Sequence, residues 1–404
     1  MKYVIIGNSA AGIGAVEGIR QADKDGEITI ISDEPYHTYS RPLISYLLLG
    51  KATEEKMKYR GDDFYENNKA RFLHATATNI DANARQVVLN SGERVSFDKL
   101  LVATGSSAFV PPFEGLGTVK DKFTFMCLDD ARNLGKALSK DKRVLIIGAG
   151  LIGLKCAEGI LNRVAHITVI DLAPRILSSI LDDEGAGIVQ RHLEGKGVEF
   201  RLSCGVKGFD GSTAVLENGE KIGFDILVLA VGVRPNTALL NGIAKIERGI
   251  VVNDKSETSA PGIYAAGDCT QTVDVSSGQN KIMALLPNAY MQGESAGLSM
   301  AGGEKSFAKA IPMNAIGFFG LHVVTAGNYT GDVYSKSEGN DYKHLFYSDN
   351  KLNGYILIGN VEKAGIYTSL IRERTPLDKI DFALVCEKPG LMAFTKEERA
   401  AKLS

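Results

Sequence analysis

Two glycine-punctuated turns hold the residues with the clearest chemical purpose in this chain. The first reads Gly7-Asn8-Ser9-Ala10-Ala11-Gly12 and the second Gly148-Ala149-Gly150-Leu151-Ile152-Gly153. Each follows an apolar run, Tyr3-Val4-Ile5-Ile6 and Val144-Leu145-Ile146-Ile147, and each opens a helical run, to about Ala22 and about Arg163. The spacing suits a pyrophosphate. The first glycine makes a sharp turn, the middle position lets backbone amides approach the phosphates, and the third lets the helix sit close to the strand. The helix start adds unpaired N–H groups and the positive end of its dipole. Ser9 replaces the middle glycine of the first copy, where its hydroxyl can donate to a phosphate.

The elements that position these turns recur as well. An uninterrupted apolar run before each turn reads as a strand buried on both faces of a parallel sheet. The helices end alike, in Glu17-Gly18-Ile19 and Glu158-Gly159-Ile160. A second strand ends in acid each time: Ile28–Ile31 leads to Asp33 and Glu34, and Ile167–Ile170 to Asp171. Asp171 lies 23 residues after Gly148, close to the ~20 expected of a carboxylate that binds an adenosine ribose. An acid there repels a 2′-phosphate, so NADH is expected rather than NADPH, with Arg175 near enough to weaken that preference. One such turn is weak support for a nucleotide site; two, each with strand, helix and distal acid, are strong. The expected fold is α/β, with two doubly wound nucleotide-binding units.

Composition narrows the partners. Glycine supplies 44 of 404 residues, about 11% against a typical ~7%, which suits tight turns near phosphates. The formal charge of -2 gives no long-range pull on nucleic acid. The longest apolar stretch, 144–154, is far shorter than a membrane span needs. A cytoplasmic protein is expected. The five cysteines are dispersed, with no C-x-x-C and no metal spacing. They read mostly as buried small apolar residues. No triad emerges from the six histidines, and His37 reads as a surface or hydrogen-bonded residue.

Several further segments resemble the FAD/NAD-linked pyridine nucleotide oxidoreductases, and within them the NADH:rubredoxin reductases and the FAD domain of assimilatory nitrite reductases. Leu100–Ser106, Leu227–Asn236 and Gly262–Asp268 resemble the strand-to-turn markers of that superfamily. The resemblance implies a discontinuous FAD domain (1–110 and 240–302), an inserted NAD(H) domain (111–239, entered at Pro111-Pro112) and a C-terminal α+β sheet domain (303–404) for dimerisation or partner contact. It implies FAD contacts at Gly7, Ser9, Ala10, Ala11, Gly12, Asp33, Glu34, Arg41, Pro42, Ala103, Thr104, Gly105, Gly267 and Asp268. Asp268 would accept a hydrogen bond from the ribityl chain, and Arg41 would face the diphosphate or the ring edge. NAD(H) contacts are implied at Gly148, Gly150, Leu151, Ile152, Gly153, Asp171, Val231 and Gly232. Residues 284–302 resemble the helix under the flavin, where relatives often carry an aromatic near Leu286; the small residues there read first as close helix packing. The tail from Lys388, with Glu397, Glu398 and Arg399, reads as a solvated helix or a partner contact.

The resemblance also shows departures. Disulfide reductases of the superfamily carry a redox cysteine near the flavin, and residues 36–50 here carry none. Electrons are then expected to leave the flavin directly. Tyr46 stands where some relatives have a lysine, and Lys155 where many have a glutamate. Two readings of Lys155 remain open: a group near the flavin–nicotinamide contact that stabilises the anionic reduced flavin, or a lysine paired with Glu158 and nothing else. The leading function is NADH-linked electron transfer to a rubredoxin-like iron protein. The alternatives are the NAD(H)-reacting subunit of a larger iron–sulfur complex, an NADH oxidase, and a non-enzymatic NADH sensor.

Overall fold

The computed structural model describes residues 1–391, 394, 397, 399 and 400. The two sequence repeats build two five-stranded parallel sheets of the same plan. In the first, Lys2–Ile6 is central, flanked by Glu27–Ser32 and Ala70–His74 on one side and by Lys99–Val102 and Ile263–Ala265 on the other. In the second, Arg143–Ile147 is central, flanked by His166–Ile170 and Val198–Arg201, and by Ile226–Leu229 and Lys122–Phe123. The central strands are buried at every position but the first, as their unbroken apolar runs require. Each unit also carries a small antiparallel meander (Ala77–Asp81, Gln86–Leu89, Arg94–Ser96 and Val206–Asp210, Thr213–Leu216, Lys221–Gly223) that no glycine turn announces.

The chain crosses between the units on a two-stranded antiparallel ribbon, Ser106–Ala108 against Val233–Pro235. Asn236 clamps it: its side-chain amide donates to the Thr104 carbonyl at 2.9 Å, and its own carbonyl accepts from the Thr104 hydroxyl at 2.6 Å. The exit and the return are therefore tied at the markers identified from sequence.

Helix Ala10–Ala22 lies against helix Leu286–Met300 at backbone contact distance. A methyl on Gly293 would come within 2.0 Å of the Ala11 carbonyl oxygen, and one on Gly297 within 2.1 Å of that of Ala15. The small residues of 284–302 thus serve close helix packing.

The third module is a five-stranded antiparallel sheet in the order Met313–Phe318, Leu321–Gly327, Lys351–Ile358, Asp341–Ser348, Asp332–Glu338. The hairpin between its last two sequential strands turns at Asp349 and Asn350, with φ of 50° and 60°, a left-handed pair that Asp and Asn tolerate. Strand Lys351–Ile358 is buried on both faces. Ile356 and Ile358 join the core of the second unit, whereas Tyr355 and Leu357 pack under helix Ala364–Arg372 with Tyr367, Leu370 and Ile371. The module is therefore seated on the second unit. In the tail, Phe394 is buried and Glu397 is exposed; Glu398 lies outside the described residues. Among the described residues no helix is long and apolar enough to cross a membrane.

Candidate functional site

One cavity of about 1720 Å³ runs past both glycine turns and on to the third module. All residues assigned to the first nucleotide from sequence line it except Gly12, and all those assigned to the second except Gly153. The two exceptions have a packing role: a methyl on either would sit 2.0 Å from the carbonyl oxygen of the first glycine of its own turn, Gly7 or Gly148. Those first glycines stand at φ of 120° and 110°, and a Cβ would strike the carbonyl oxygens of Ala103 at 2.1 Å and Ala230 at 2.2 Å. The middle position differs. Gly150 has extended backbone, and nothing lies within 4 Å of where its Cβ would be. Protein packing does not demand glycine there; the space belongs to the cavity. The first turn accordingly accommodates Ser9, which caps no backbone N–H with its side chain. Neither helix has an acidic residue in its first turn, so both N-termini keep their attraction for phosphate.

The acids after the second strands are not in matching register. Gly7 N–H donates to Ile31 and Gly148 N–H to Ile170, both at 2.8 Å, so the structural counterpart of Asp171 is Ser32. Both residues hold the turn two positions on: the Ser32 hydroxyl accepts from Glu34 N–H (3.2 Å), and Asp171 from Ala173 N–H (2.8 Å). Asp171 also accepts from Ala149 N–H at 2.6 Å, inside the glycine turn itself. Asp33 is exposed on the cavity wall. Glu34 is already engaged, by Arg41 and by the Tyr39 hydroxyl. Arg175 faces away from the cavity: its guanidinium donates to the carbonyls of Leu181 and Ser178 and pairs with Asp183. Its charge is thus withdrawn from the ribose end of the second turn, where it could have accommodated a 2′-phosphate.

Residues 36–46 form an arm over the first turn. Tyr65 connects the two, donating to Asn8 Oδ1 at 2.9 Å and accepting from Thr38 N–H at 3.1 Å. Arg41 stacks over Tyr39, with its guanidinium 5.4 Å from the ring centre. The Tyr39 hydroxyl also accepts from Leu128 N–H at 3.0 Å, anchoring the arm to the inserted unit. His37 is partly buried and hydrogen-bonded to the Thr38 carbonyl at 3.1 Å.

In the cavity wall, burial pushes the Asp268 carboxyl above its ordinary range, against the opposing pull of the Ser106 hydroxyl and the Arg41 charge. Ser106 donates to it across a long 3.3 Å. A carboxylate so placed lacks donors, and a polyol such as a ribityl chain would supply them. Ser106 also lines the cavity, although the sequence assigned it no contact. The lining residues Ala315, Ile316, Gly317 and His322 come from the C-terminal module, and no local motif announced them.

Lys155 lies in the cavity wall and pairs with Glu158. Its ammonium also donates to the Gly317 carbonyl at 3.1 Å and lies 4.5 Å from the centre of the Tyr46 ring. The only cysteine among the lining residues is Cys204, beside Asp171 at the far end of the second turn. Cys156, Cys269 and Cys386 are buried, and burial holds the Cys269 thiol up at about 11. Among the described residues no cluster of His, Cys, Asp or Glu is placed to hold a metal.

Comparison with known proteins agrees with this geometry. Residues 1–293 match the pyridine nucleotide-disulphide oxidoreductase family, and residues 312–375 the rubredoxin NAD+ reductase C-terminal domain. The chain is 32% identical over 391 residues to the NADH-dependent phenylglyoxylate dehydrogenase subunit epsilon of Aromatoleum evansii, covering 93% of this chain and 92% of that one. It is 30% identical to the assimilatory nitrate reductase electron transfer subunit of Bacillus subtilis, over 92% of this chain but only 49% of that protein. The solved NADH:rubredoxin oxidoreductase of Clostridium acetobutylicum is 25% identical, with a TM-score of 0.75 over 94% of this chain and 97% of that one. Paired glycine turns, a shared cavity and these matches make the protein a flavoprotein oxidoreductase that uses FAD and NADH, and the chain belongs to the pyridine nucleotide-disulphide oxidoreductase family.

Proposed function

We propose that the first turn, with Asp33, the Arg41–Pro42 arm, Ala103–Gly105 and Gly267–Asp268, holds FAD, and that the second turn, with Asp171, Val231 and Gly232, holds NADH. The domain limits follow: FAD domain 1–110 and 240–302, NAD(H) domain 111–239, C-terminal domain 303–404. FAD, when bound, accepts a hydride and releases electrons singly or in pairs. The chain's own part is to orient the two nucleotides toward one another and to exclude water from their meeting point. Ser9 and the helix N-termini bind phosphate, Asp268 accepts from the ribityl chain, and Asp171 disfavours a 2′-phosphate.

The acceptor is a small iron protein of the rubredoxin type. One observation carries this reading. The cavity joins both turns, and Lys155, Tyr46 and Gly317, which line it, meet with no cysteine among them, while the one lining cysteine, Cys204, is beside Asp171. A thiol relay to a disulfide substrate has no residue to run through there. A second reading, membership of a larger iron–sulfur complex, is favoured by the near full-length likeness to a dehydrogenase subunit. A cytoplasmic location accords with either.

The test is stopped-flow reduction of the flavin by NADH, followed by mixing with rubredoxins, ferredoxins, oxygen and disulfides. Rapid reoxidation by an iron protein, and slow reoxidation by disulfides, is expected. Fast reaction with disulfides alone would refute the proposal. Size-exclusion of native protein from its source separates the free enzyme from the complex subunit.

A further inference from the structure

Lys155 stands where the three modules meet. It belongs to the helix of the second turn, lies 4.5 Å from the Tyr46 ring centre on the arm of the first, and donates to Gly317 of the third at 3.1 Å. The side chains of Lys155 and Glu158 are only 16% and 6% exposed. Their placement is unequal: Lys155 lines the cavity and Glu158 does not. The carboxylate sits behind the ammonium, its other oxygen accepting from Phe319 N–H at 2.8 Å. Phe319 is in the hairpin turn between Met313–Phe318 and Leu321–Gly327, at a φ of 48°. The third module thus grips the anion that holds the cation to the cavity wall.

A buried cation facing a cavity favours negative charge arising inside it. We propose that Lys155 stabilises the charge the isoalloxazine gains on reduction, and that Glu158, gripped by the C-terminal hairpin, is the positioning residue that sets how strongly it does so. This rests on FAD occupying the first turn. It makes the C-terminal module part of the redox centre's electrostatics as well as of its walls.

The measurement is spectroelectrochemical titration of holoprotein for the wild type, Lys155→Met, Glu158→Gln and the double variant. Lys155→Met leaves a bare carboxylate beside the cavity and should make flavin reduction at least tenfold less favourable, about 30 mV for a two-electron couple. Glu158→Gln keeps an acceptor for Phe319 N–H, removes the opposing charge, and should shift the equilibrium the other way. Loss of packing alone cannot produce shifts of opposite sign. If Lys155→Met fails to fold, Glu158→Gln against the double variant carries the comparison, because the double leaves no unpaired buried charge; it should be the harder of the two to reduce, again by tenfold or more. Shifts of the same sign in both single variants, or no shift, or no difference between Glu158→Gln and the double, would overturn the inference. Wild-type protein that takes up no FAD would instead sink the parent reading.

Discussion

Replacing Gly148 and Gly150, two residues apart in one turn, should have opposite consequences. At Gly148 a side chain meets a φ of 110° and a carbonyl oxygen 2.2 Å from its Cβ. The backbone cost is about 1–2 kcal/mol, and opening the contact to van der Waals distance adds roughly 1–3 kcal/mol. Gly148→Ala should therefore lose about 3 kcal/mol, roughly 6–12 °C in Tm for a unit of this size. Gly150 has φ -82° and ψ -174° with no atom within 4 Å of its Cβ. Extended backbone accepts valine, so Gly150→Val should change stability by less than about 0.5 kcal/mol. Its side chain would occupy the cavity where amides are expected to meet phosphate. Losing two such charge-assisted hydrogen bonds, each about 1.5 kcal/mol, weakens NADH about 100-fold. Thermal unfolding and the NADH dependence of flavin reduction read the two effects separately, and the flavin spectrum of Gly150→Val should be unchanged. A Gly150→Val protein that binds NADH normally, or that unfolds as early as Gly148→Ala, would refute the assignment of that space to the nucleotide.

Three other outcomes follow from the same geometry. Asp268→Leu removes a half-buried acceptor from the cavity wall and should yield protein that loses FAD on gel filtration, whereas Asp268→Asn should retain more of it; equal retention in both would remove Asp268 from the site. Asp171→Asn should raise the NADPH-to-NADH ratio of kcat/KM by about tenfold or more through relief of like-charge repulsion, at a cost of about 1–2 kcal/mol in stability from the weakened bonds to Ala149 and Ala173; an unchanged ratio would count against its ribose role. Asp182 joins helix Asp183–Glu194 to the C-terminal sheet. Burial pushes its carboxyl up, but bonds from His344, Tyr342 and Gly185 hold it below the usual range. A depressed carboxyl stabilises the fold above its unfolded value and stops doing so as pH falls through its folded one. The stability gap between wild type and Asp182→Asn, about 1–3 kcal/mol at neutral pH, should therefore shrink as the pH is lowered below about 4; a gap that widens in acid would contradict the sign.

The two nucleotide turns were legible because their physics is local. A reversal from strand to helix needs glycine at its first position, and a close strand–helix contact needs it at the third. Gly7, Gly12, Gly148 and Gly153 meet those demands within a dozen residues of sequence. The apolar runs showed the parallel strands for the same reason. What the sequence could not show depends on partners far along the chain. Ser32 rather than Asp33 matches Asp171 because sheet register, not spacing from the glycines, sets which residue faces the turn. Arg175, near enough in sequence to suggest a 2′-phosphate, is turned away by carbonyls of its own loop and by Asp183. The pair of Lys155 with Glu158 exists, but it is not the whole of that lysine's surroundings, since the ammonium also lines the cavity and donates to the Gly317 carbonyl. Only folding brings Tyr46, Lys155 and Gly317 to one place, because no local spacing encodes a meeting of three modules.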